Sequence, residues 1–121
     1  MSSRDQHSVQ SAQETVKSKE AELQDTVQQT LMQVVQAYAG AQSSLRNLGA
    51  SEDLVNSAKA ALESSQRRYD NGATDILELL TTQAALADAK SERVRCLSEW
   101  RAARLTLLTS SGVLNRASVG Q

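Results

Sequence analysis

Among 121 residues there is no proline, no phenylalanine, one tryptophan and two tyrosines, so large rings are too few for an ordinary globular core and almost nothing interrupts regular backbone. Thirteen Lys+Arg against fourteen Asp+Glu leave a net charge of −1, which gives no reason to expect nucleic acid or an acidic surface as partner. No run of ~18 apolar residues and no apolar stretch in residues 1–10 exist, so neither a transmembrane helix nor a secretory signal is expected, and the chain as given should be soluble and cytoplasmic if made there.

In chain order, residues 1–6 are expected to be a disordered start, followed by a first helix over 7–69. Apolar or small residues recur at Val27, Leu31, Val34, Tyr38, Ala41, Leu45, Leu48, Val55, Leu62 and Tyr69, largely in alternating steps of four and three, and the row extends backward through Leu23, Val16, Ala12 and Val9. This is a heptad seam, and a helix of that extent would run about 90 Å at 1.5 Å per residue, abnormal for a globular helix and ordinary for a coiled coil. The late seam positions Glu52, Lys59 and Gln66 are polar, while Leu54, Ala58, Ala61 and Ser65 open a second stripe, so the helix is expected to face two neighbours. Gly40 and Gly49 lie inside it, and Asn47 to Glu52 can be read as a C-cap followed by a new N-cap, which makes a bend near 47–52 an open alternative.

The pattern stops at Asp70, Asn71, Gly72, where asparagine and glycine tolerate positive φ, and residues 70–74 are expected to form a tight turn. Thr74 or Asp75 can cap the next helix, with Glu78 in the capping-box position three residues after Asp75. The second helix is expected over 75–111. It starts with Ile76, Leu77, Leu79 and Leu80 and continues with Ala84, Ala87, Val94, Leu97 and Leu108 at near-heptad spacing, while Leu79, Leu86, Trp100, Ala103 and Leu107 mark another face, with Gly112 as C′ residue and 112–121 as a frayed tail. A short link makes the helices antiparallel neighbours, so the expected fold is all-α, a long two-helix coiled-coil hairpin that self-associates or joins other helices, because an isolated pair buries too little to be firm alone.

The turn and its flanks, Arg68-Tyr69-x-x-Gly72-x-x-x-Ile76-Leu77-Glu78-x-Leu80, resemble the TolC-like outer-membrane efflux protein family. The upstream run through Thr26, Val27, Gln28, Gln29 and Val34 to Tyr38 looks like the family's long helix leading to the turn, and Arg104 to Leu108 with Gly112 looks like the end of its last helix, so the likeness spans roughly residues 8–114. The resemblance implies the helical part of a second repeat, a fragment of a periplasmic α-barrel whose parent forms trimers in the outer membrane. It implies a passive conduit of a tripartite pump, with a periplasmic adaptor protein as direct partner, an inner-membrane pump as indirect partner and no cofactor. Tyr69, Asp70, Asn71, Gly72, Ala73 and Thr74 would be the adaptor-docking tip, with Glu78 at an acidic ring that narrows the entrance and Thr81 at a second ring position that is acidic in some members. A basic residue that helps hold the entrance shut in some members falls at Thr74, so closure would differ here.

Plainer readings stand beside these. Tyr69 serves equally as the last layer of the seam, Gly72 as a residue the turn needs whatever binds there, and Glu78 as a cap favoured by the helix dipole. Lys90, Arg93, Arg95, Arg101 and Arg104 form a basic stretch, but Glu92 and Glu99 interleave it and no aromatic platform accompanies it, so it reads as a solvated face and not a nucleic-acid surface. His7 has no ligand-spaced companions, which argues against a metal. Cys96 has no histidine nearby in sequence to activate it and reads as a small packing residue. A two-helix rod offers no concave pocket with convergent polar groups, which argues against catalysis. The remaining alternative to a channel is a generic coiled-coil hairpin that oligomerises in a structural role.

Overall fold

In the computed structural model, which describes residues 2–120, two long helices pack against each other: α1 (Ser2–Asp70) and α2 (Ile76–Val119), with no strand among the described residues. The all-α hairpin expected from the sequence is the fold observed. α1 runs unbroken through 47–52, and neither Gly40 nor Gly49 has positive φ, so the cap-like residues there do not end a helix.

Both ends extend further than the sequence suggested. The expected disorder at residues 1–6 is corrected to helix from Ser2, and the expected tail at 112–121 is helical to Val119; Met1 and Gln121 lie outside the described residues. At the C-terminal end the reason is packing: Leu114 and Ala117 continue the half-buried row set by Leu107 and Ser110, and this overrides Gly112, whose φ is not positive. No breaker lies in residues 2–6, so nothing stops the first helix from starting at Ser2.

The chain divides into two compact units, one of α1 up to Gln36 with α2 from Leu108, the other Ala37–Leu107. In the second, α1 contributes Ala37, Ala41, Ser44, Leu48, Ser51, Val55, Ala58, Leu62 and Ser65, and α2 contributes Leu79, Thr82, Leu86, Ala89, Cys96, Trp100, Ala103 and Leu107, all half-buried or buried. The steps of three and four are those of a heptad repeat, with one row of larger residues and one of Ala, Ser, Thr or Cys on each helix. Small side chains let two backbones approach closely. Two of their hydroxyls bond within their own helix: Ser51 Oγ donates to the Leu48 carbonyl at 2.7 Å and Thr82 Oγ1 to the Leu79 carbonyl at 2.9 Å.

In the other unit, Val27, Thr30 and Val34 of α1 and Ser110, Leu114 and Ala117 of α2 are the covered residues, while residues 2–26 are exposed throughout. Val9, Val16 and Leu23 there are exposed and lack a covering neighbour in the chain. One row was misplaced by sequence reasoning: Leu31, Tyr38 and Leu45, taken as seam residues, are 50%, 54% and 53% exposed, and the covered positions are the small residues one place before them, Thr30, Ala37 and Ser44.

Candidate functional site

The tip lies within the Ala37–Leu107 unit and is built by two sets of backbone bonds. At the end of α1, the Ala73 N–H donates to the Arg68 carbonyl at 2.7 Å and the Gly72 N–H to the Tyr69 carbonyl at 3.0 Å, the paired closure of a Schellman motif. Its C′ residue is Gly72, at φ +71°, the one positive φ among the described residues; Asn71, which also tolerates that region, does not adopt it. The Asn71 N–H still reaches the Arg67 carbonyl at 3.1 Å, so helical bonding persists to the residue before the reversal.

α2 begins with its own cap. Asp75 Oδ1 accepts the Glu78 N–H at 3.0 Å, which selects Asp75 over Thr74 as N-cap. The Glu78 carboxylate, however, does not act as a plain capping-box group. Its Oε1 accepts from the Arg68 guanidinium on the last turn of α1, and its Oε2 accepts from the Thr74 hydroxyl in the turn. Arg68 sits at the negative end of one helix dipole and Glu78 at the positive end of the other, so each charge is favoured where it stands.

Of the residues singled out from the sequence, Tyr69, Asp70, Asn71, Gly72 and Ala73 are exposed at the tip and Thr74 is half-buried. Asp70 Oδ1 accepts from Gln66 Nε2 at 2.9 Å, so that carboxylate is held along α1. Thr81 lies exposed on α2, its hydroxyl donating to the Leu77 carbonyl at 2.8 Å, and it is not joined to Glu78 by a hydrogen bond or ion pair among the described residues. Tyr69 stays more exposed than the seam residues it follows. Sequence reasoning missed Arg68 as the partner of Glu78. A separation of ten residues has no helical or strand periodicity behind it and becomes a contact only once the turn's path is fixed.

Further along the hairpin, Arg93 Nη2 lies 3.8 Å from Glu52 Oε1, an ion pair between the two helices where Arg93 interrupts the apolar row of α2. Arg95 Nε donates to Glu92 at 2.9 Å and its guanidinium also pairs with Glu99; the Arg95 hydrogen bond holds the Glu92 carboxyl below the usual carboxylate range, against a smaller opposing effect of desolvation. Cys96 is 3% exposed, and its Sγ lies 3.7 Å from Glu92 Oε1. Arg104 stands over the Trp100 ring at 5.6 Å. No three His, Cys, Asp or Glu side chains cluster as a metal site, and no helix is long and apolar enough to cross a membrane, among the described residues.

Comparison with protein-family models matches residues 2–113 to the family described as outer membrane efflux protein. Comparison with the curated proteins and with solved structures gives no match.

Proposed function

From the premise that this chain belongs to the outer membrane efflux protein family, a family of channel proteins and not of enzymes, we propose that its hairpin is helical wall and docking tip of a periplasmic tunnel. In this reading three copies of the full-length protein surround a passive conduit that continues into the outer membrane. The tip, Tyr69, Asp70, Asn71, Gly72, Ala73 and Thr74, meets the helical hairpin of a periplasmic adaptor protein, and an inner-membrane pump behind that adaptor supplies the energy. Contacts at one tip are small and gain strength by repetition around a ring. Glu78, with Thr81 one turn further, stands near the entrance as candidate ring residues that select or gate cations.

One observation carries the docking reading. Residues 69–73 are exposed and closed by a Schellman reversal at a glycine, so the tip presents the Tyr69 ring, backbone and short side chains at the point where a second helical hairpin can approach. Light scattering on the chain, alone and mixed with an adaptor hairpin domain, tests it. A complex that disappears when Gly72 is replaced by valine supports docking at the tip; a complex that survives that replacement removes the tip from the interface.

The exposed apolar rows favour a second reading, a coiled-coil module that associates with copies of itself and docks nothing. A defined oligomer that ignores the adaptor hairpin would support it.

A further inference from the structure

The Schellman closure and the Asp75 cap each belong to one helix, the first ending α1 and the second beginning α2. Neither ties the helices together. The Glu78 carboxylate does, because one oxygen takes the Arg68 guanidinium from α1 and the other takes the Thr74 hydroxyl from the turn. Arg68 is doubly committed, its carbonyl receiving the Ala73 N–H while its side chain holds Glu78. Behind this cluster Leu79 is 5% exposed, so the residue next to Glu78 is anchored in the hairpin core.

We propose that Arg68, Thr74 and Glu78 form a three-point latch that holds the turn and the first turn of α2 in one conformation, and that all three are positioning residues for the tip. The latch pairs a half-exposed cation with a half-exposed anion beside the exposed tip residues Tyr69, Asp70, Asn71, Gly72 and Ala73. It concerns the turn itself and stands whether or not the tip docks an adaptor.

Hydrogen exchange of individual amides in the full chain, followed by NMR, tests it. Glu78→Gln and Arg68→Gln should each speed exchange of the Gly72 and Ala73 amides about two- to fivefold, the scale of a partly exposed ion pair, while the amides of Ala58 and Ala89 stay unchanged. Thr74→Val, which keeps both charges, should give a smaller increase at the same two amides. The double reversal Arg68→Glu with Glu78→Arg should exchange more slowly than either single reversal, a restoration that loss of helix alone cannot produce. Raising the salt concentration should speed these amides in the native chain and leave Glu78→Gln unmoved. Unchanged exchange in Glu78→Gln, or a double reversal no slower than the singles, overturns the latch.

Discussion

Ser65 is fully buried, and its hydroxyl is the one buried side-chain polar atom among the described residues without a hydrogen-bond partner. Thr30, Ser51 and Thr82 escape that cost by bonding a carbonyl of their own helix. Ser65→Ala removes a desolvated hydroxyl and leaves only a small space, so it should raise stability to urea by about 1 kcal/mol, read from the unfolding midpoint. Gly72 presents the opposite case. A Cβ placed there meets nothing within 4 Å, so the cost of substitution lies in backbone conformation and not in a clash. Gly72→Ala should lose about 1 kcal/mol, and Gly72→Val more, about 2 kcal/mol, because β-branching adds to the strain at positive φ. The glycine and a cap at Thr74 or Asp75 were legible in the sequence, since turn chemistry is a property of neighbouring residues, and the structure selects Asp75. The Arg68 pairing was not, because it depends on where the turn returns the chain.

At the scale of the element, the larger residues of the seam, Val27, Val34, Leu48, Val55 and Leu62, could be read from spacing, whereas the companion row could not. Thr30, Ala37, Ser44, Ser51, Ala58 and Ser65 carry little hydrophobic signal, and Leu31, Tyr38 and Leu45 one position later carry a strong one. Close packing selected small volume over hydrophobicity. Gly40 and Gly49 have no such packing reason, because a Cβ at either position faces open space within a regular helix. Each replacement by alanine should stabilise α1 by about 1 kcal/mol, measured as a rise in Tm by circular dichroism. Acid should act on α2 through Glu92. Its carboxyl is depressed in the folded chain by the Arg95 hydrogen bond, so the stabilisation is present at neutral pH and is lost as the pH falls through that depressed value. Glu92→Gln should therefore show less loss of helix on acidification than the native chain.

For the whole molecule, the decisive quantity is the apolar surface left uncovered. On α2 the exposed residues Leu77, Leu80, Ala84, Ala87, Val94, Leu105 and Leu108 follow a heptad spacing of their own, apart from the row that packs on α1. A row of that kind is solvated only at a cost of roughly 25 cal/mol for each Å² of apolar surface. The chain should therefore associate with concentration, with a light-scattering mass above that of one chain, and Val94→Gln with Leu108→Gln should weaken association by about tenfold or more. The angular relation of the two rows has a geometric consequence. Offset by two positions at about 100° per residue, they lie roughly 160° apart around the axis of α2, short of diametrically opposite. A layer built of helices that each take neighbours on two such faces bends at every helix and does not lie flat.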